Sequence, residues 1–141
     1  MKIFTADDRL AQKSGPKILL VGPSGVGKTS QLRTFRQELL TSTLLVDIEA
    51  GDLAIADLAV ASVRPRLWSE CRDIACALGG PNPALPPTAA YSEAHFAEVM
   101  KNPELAKLMS FKTLFVDSLG AASRLCLGWS ELQPVAFTDR G

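Results

Sequence analysis

Histidine is almost missing from this chain of 141 residues: His95 is the only one. Cysteine is scarce too, limited to Cys71, Cys76 and Cys126, with no C-x-x-C spacing among them. These shortages exclude the usual His/Cys zinc sites and a disulfide framework, and they fit free thiols in a reducing compartment. Aromatic residues make up 6% of the chain, so no platform for stacking nucleic-acid bases is evident. Neither sign of charge is in excess, since 15 Lys and Arg balance 15 Asp and Glu. No global basic field therefore announces nucleic acid, although a balanced total can hide a local basic face. Arg64, Arg66 and Arg72 form the densest basic group, and they read first as a solvated surface. No apolar run reaches membrane-spanning length, and Met1 to Asp8 does not read as a signal peptide. The cytoplasm is the expected setting, with no membrane partner.

What is present is concentrated in one stretch. Gly22-Pro23-Ser24-Gly25-Val26-Gly27-Lys28-Thr29 has the form G-x-x-x-x-G-K-[ST]. It follows the apolar run Ile18-Leu19-Leu20-Val21 and precedes a segment of helical spacing. A nucleoside triphosphate carries clustered negative charge, which successive backbone N–H groups in a tight loop can cradle. Glycines let that backbone bend and approach closely. The next helix turns its positive end toward the phosphates. The candidate ATP-binding residues are thus Gly22, Pro23, Ser24, Gly25, Val26, Gly27, Lys28, Thr29 and Ser30. Lys28 adds a mobile cation for the β- and γ-phosphates and counts as a catalytic candidate, while the Thr29 hydroxyl suits Mg²⁺.

The rest of the chain predicts a single α/β domain. Ile18 to Val21 reads as a strand buried on both faces, and Lys28 to Leu40 as a helix with Leu32, Phe35, Leu39 and Leu40 on one face. A lead-in turn is expected near Asp8 to Lys13. Thr43 to Ile48 is a second buried strand, ending in the acids Asp47, Glu49 and Asp52. Val60 to Val63 is a short edge strand. Leu67 to Leu78 is a helix, with Trp68, Cys71, Ile74, Ala75 and Leu78 on its apolar side and Gly79-Gly80 stopping it. Residues 81–91, with four prolines, form a stiffened surface connection. Ser92 caps a helix running to about Lys101, and Pro103 opens another to Met109. Thr113 to Asp117 is a strand ending in an acid, followed by a helix over Leu119 to Trp129. The tail from Gln133 shows no periodicity.

Asp117 is the natural second Mg²⁺ ligand beside Thr29, because an acid at the end of an apolar strand is the Walker B setting. A helix cap is the competing role for Asp117, and Ser118 can supply that cap instead. Many motor ATPases carry a glutamate directly after the Walker B aspartate; here the position is Ser118. Glu49, ending a neighbouring strand, is the replacement candidate for activating water.

Leu45-Val46-Asp47-Ile48-Glu49-Ala50 resembles the segment of RecA-type recombinases that carries their catalytic glutamate. The resemblance is closer to phage-encoded RecA-like ATP-binding proteins, a group that includes single-strand annealing ATPases. It rests on Thr5 to Leu10, Gly22 to Thr29, Val46 to Asp52, Gly79 to Pro83 and Phe115 to Ser118. It implies a P-loop NTPase with a RecA-like, mainly parallel sheet flanked by helices. It also implies Mg²⁺-dependent ATP hydrolysis in phage DNA recombination or replication, with single-stranded DNA and further copies of the chain as partners. In that architecture another strand lies between the phosphate-loop strand and the Asp117 strand. The chain is therefore expected to be the N-terminal portion of a longer core, with a gap about two strand spacings wide, near 10 Å. Two alternatives stay open: a small-molecule or nucleoside kinase, with 81–110 as a lid, and a non-catalytic nucleotide-binding accessory module.

Overall fold

The structure, a computed structural model, describes residues 15–133. The expected lead-in turn and most of the tail lie outside them. At the centre is a three-stranded, wholly parallel sheet of order β2-β1-β3, with β1 at Thr43–Asp47, β2 at Ala61–Val63 and β3 at Thr113–Asp117. Every residue of β1 is buried, as its unbroken Thr-Leu-Leu-Val run requires of a central parallel strand. β2 is the short edge strand expected from Val60 to Val63. The register pairs Thr43 with Thr113 and Asp47 with Asp117, so both acids leave the sheet side by side at its carboxyl end.

Helices cover both faces. Leu45 points into one layer with Leu32, Leu40 and Ile55, joined by Phe35 and Phe115. Leu44 and Val46 point the other way, against Ile74 and Leu108. The first layer comes from the 3-10 segments Thr29–Thr34 and Asp52–Ile55 and from helix α1 at Gln37–Thr41. The second comes from α2 at Trp68–Gly79 and α4 at Pro103–Lys107, with the 3-10 turn Leu108–Ser110. Helix α3 (Glu93–Val99) packs Val99 against Cys76 and Ala77 of α2. Helix α5 (Leu119–Glu131) also lies against α2.

Local chemistry explains the boundaries. Ser92 accepts the N–H of His95 at 3.2 Å to start α3, and Asn102 accepts that of Glu104 with Pro103 in the first turn of α4. Glu70 accepts the backbone N–H groups of Arg66 and Leu67 at the head of α2. Gly80, at φ 75°, ends α2 in a conformation that glycine adopts freely. Between α2 and α3, residues 81–91 run over the surface in turns and bends.

Three expectations are corrected. Ile18 to Val21 is not a buried strand: it is extended and unpaired, with Ile18 79% and Val21 86% exposed. The reason lies in the sheet, where β3 pairs only with β1 among the described residues. A cavity of about 1070 Å³ separates the outer edge of β3 from Ile18 to Val21, where a strand neighbour would be needed. The helix expected over Lys28 to Leu40 is broken into Thr29–Thr34 and Gln37–Thr41, with Phe35 and Arg36 extended between them. Leu32 and Leu40 are buried, Phe35 is half-buried, and Leu39 is exposed. Both pieces still pack on the sheet, through Leu32 and Leu40 against Leu45 and Ile55. In α2 the buried face is Ile74, Cys76 and Ala77, while Ala75 faces solvent. The contact with α3 rotates the buried stripe from the periodicity read along the sequence.

Candidate functional site

The site gathers where β1 and β3 end. Past Asp47 the chain turns sharply through Ile48, Glu49 and Ala50, the last at φ 60°. The turn is held from two sides. The N–H groups of Ile48 and Glu49 donate to the Asp117 carbonyl at 2.7 and 3.3 Å. The Gly51 N–H donates to Asp47 Oδ1 at 2.9 Å. Asp47 is fully buried; its Oδ2 has no hydrogen-bond partner among the described residues, and the Arg64 guanidinium lies 3.6 Å from it. Asp47 thus anchors the loop that carries Glu49, a job the sequence does not distinguish from that of any strand-end acid.

The glycine-rich loop lies opposite. Gly25 and Gly27 sit at φ 79° and 90°, where a side chain would be strained. A Cβ on Gly22 would stand 2.9 Å from Val26 Cγ1. Lys28 Nζ donates to the loop's own carbonyls, Gly22 O at 3.0 Å and Pro23 O at 2.9 Å. Thr29 opens the following 3-10 segment, and its hydroxyl donates to Asp117 Oδ2. Gly51 backs this pair, since a Cβ there would lie 3.7 Å from Thr29 Oγ1 and 3.6 Å from Asp117 Oδ2.

Glu49 is bonded to the residues that follow Asp117. Its Oε1 accepts from Ser118 Oγ at 2.6 Å and from Arg124 Nη2 at 3.5 Å. The Ser118 hydroxyl bonds lowers the Glu49 carboxyl below its ordinary range; Arg124 and Lys28 add to this, and partial desolvation opposes it. Ser118 also caps α5 by accepting the Ala121 N–H at 3.2 Å, so the cap falls to Ser118 and leaves the Asp117 carboxylate to Thr29. The fixed helix end therefore aims a hydroxyl proton at Glu49.

Of the residues singled out from the sequence, Gly22, Ser24, Lys28, Glu49 and Asp117 line one cavity, and Thr29 reaches it through Asp117. Pro23, Gly25, Val26, Gly27 and Ser30 belong to the loop and the turn after it. Arg64 is the basic residue drawn to the site's edge, through Asp47; Arg72 pairs instead with Asp73 at 3.1 Å. Two residues were missed as site members, Ser118 as the donor to Glu49 and Arg124. No local signal marks Arg124: it lies on the second turn of α5, and its place beside Glu49 depends on the pairing of β1 with β3.

Thr29 and Asp117 also permit a test for a divalent cation. A hydroxyl and a nearly buried carboxylate in direct contact form a pair of hard oxygen donors, the kind Mg²⁺ takes alongside phosphate oxygens and waters. The residues present fit the ion.

A parallel α/β sheet with a glycine-rich, lysine-ended loop facing acids at the strands' carboxyl ends defines a P-loop nucleoside-triphosphate-binding protein. The AAA domain family matches residues 14–141, and the chain belongs to that family of P-loop ATPases. No curated protein and no solved structure shows a comparable match. Among the described residues no helix is long and apolar enough to cross a membrane.

Proposed function

We propose that this chain binds ATP with Mg²⁺ on the loop from Gly22 to Ser30 and hydrolyses it through Glu49. One observation carries the reading: Lys28, Asp117 and Glu49 face a single cavity, with Thr29 bonded to Asp117, although they come from three separate parts of the chain. Among the described residues Lys28 is hydrogen-bonded to carbonyls of its own loop, neutral acceptors that a phosphate can displace. Thr29 and Asp117 would hold the ion, whose chemistry is to bridge phosphate oxygens and neutralise their charge. Glu49 takes the proton of a water aligned on the terminal phosphate. Ser118 and Arg124 hold its Oε1, which among the described residues leaves Oε2 for that water. A base oriented by a third group is the arrangement such chemistry needs.

The resemblance to phage RecA-like proteins supports a role in DNA recombination or replication. Titration calorimetry with Mg·ATP, and turnover measured with and without single-stranded DNA, test the reading together. Lys28→Ala should abolish ATP binding, and unchanged affinity would remove the loop from its role. Glu49→Gln should bind ATP and not turn it over; retained turnover would remove Glu49. Wild-type binding without turnover would instead favour a nucleotide-binding accessory module.

A further inference from the structure

Arg64 follows β2, and the sheet order β2-β1-β3 puts β1 between it and Asp117. It does not line the cavity that Lys28 and Glu49 share. The register pairs Val46 with Val63, so the next positions along, Asp47 and Arg64, lie abreast. The guanidinium Nε stands 3.6 Å from Asp47 Oδ2. The backbone of Arg64 is steadied on both sides. Buried Pro65 favours an extended residue before it, in line with β2, and Glu70 binds the N–H groups of Arg66 and Leu67 just beyond. Asp47 is fully buried, and a carboxylate so placed is costly unless a cation faces it. Its other oxygen, Oδ1, accepts the Gly51 N–H at 2.9 Å. Gly51 closes the turn that carries Glu49 and also backs Thr29 and Asp117. One buried carboxylate thus joins a cation outside the cavity to the turn inside it.

We propose that Arg64 is a positioning residue for the reaction: through Asp47 it fixes the turn from Ile48 to Gly51, and so the place of Glu49. This rests on the ATP-hydrolysis reading above. Without the cation the buried charge of Asp47 is uncompensated. The carboxylate then relieves itself by turning toward water, and it lets go of the Gly51 N–H. The turn loses one of its two supports. The other, the bonds from the Ile48 and Glu49 N–H groups to the Asp117 carbonyl, remains, so Glu49 is displaced rather than removed. A displacement of about 1 Å in a reacting group can cost on the order of a hundredfold in rate. Binding through the loop from Gly22 to Ser30 does not pass through Asp47 and stays.

Amide hydrogen exchange followed by NMR reads the Gly51 N–H without nucleotide or turnover. Arg64→Gln should speed its exchange by about tenfold or more, while the amides of β1 stay protected. In steady-state kinetics the same variant should lower kcat by about tenfold or more, and calorimetry should find its affinity for Mg·ATP unchanged. Arg64→Lys keeps a cation and should recover part of both losses. Asp47→Asn keeps an acceptor for Gly51 and has no buried charge to face, so in that background Arg64→Gln should change neither readout further. The full loss in that background, or kcat and affinity falling together, would make Arg64 merely structural. Unchanged Gly51 exchange in Arg64→Gln would overturn the proposal while the hydrolysis reading stands. Wild-type chain that binds Mg·ATP without turning it over would overturn that reading, and with it the part given to Arg64 in the reaction.

Discussion

Replacing Ser118 by alanine removes two interactions at once, and they can be read separately. The hydroxyl caps α5 through the Ala121 N–H and donates to Glu49 at 2.6 Å. Loss of a serine cap costs about 1 kcal/mol, which for a domain of this size lowers the melting temperature by roughly 3 to 6 °C. The second loss shows in Glu49. Its carboxyl lies below the ordinary range chiefly because of that hydroxyl, so the variant should titrate at higher pH. A group whose folded pKa is depressed stabilises the fold above its unfolded value, about 4.3 for glutamate. That stability is lost as pH falls through the folded value. The Glu49 share of the wild-type advantage should therefore be present at neutral pH and vanish in acid, while the cap's share persists. Carboxyl ¹³C NMR, with the Glu49 signal assigned by its absence in Glu49→Gln, follows the titration directly. Ser118→Thr keeps a hydroxyl and should restore both effects. An unchanged Glu49 titration in Ser118→Ala would refute the claim that this hydroxyl governs the carboxylate.

Leu45→Ala should cost about 2–5 kcal/mol in urea unfolding, because Leu45 is fully buried in the central strand. Leu114→Ala on β3, where the side chain is 48% exposed, should cost under about 1 kcal/mol. Among the described residues, limited trypsin digestion should cut first at Lys17, where the backbone is exposed and outside any helix or strand. Mass spectrometry identifies that site, and an earlier cut after Arg72, inside α2, would contradict the unpaired edge.

Much of this architecture is legible along the chain because it is local. The strands β1 and β3 show as apolar runs ending in aspartate, and the caps at Ser92, Asn102 and Ser118 show as polar residues before helical spacing. The loop from Gly22 to Thr29 is legible for the same reason: its glycines and its lysine form a pattern set within eight neighbouring residues. Pairing is not local. Ile18 to Val21 has the composition of a buried strand, yet whether it is one depends on a neighbour that only the sheet order reveals. The split of the helix after the loop, at Phe35 and Arg36, is marked by no glycine or proline in the sequence.

The sequence by itself marked the phosphate-loop pattern, the acid at the end of β3 and Glu49 as a candidate, since each shows as a residue type in a local pattern. Only the tertiary structure decided that Asp47 is the buried anchor of the Glu49 turn, and that Ser118 and Arg124 hold the Glu49 carboxylate. Those contacts join residues 69 and 75 positions apart. They exist because the parallel register sets Asp47 beside Asp117 and so brings the two strand ends, with everything just beyond them, to one edge of the sheet.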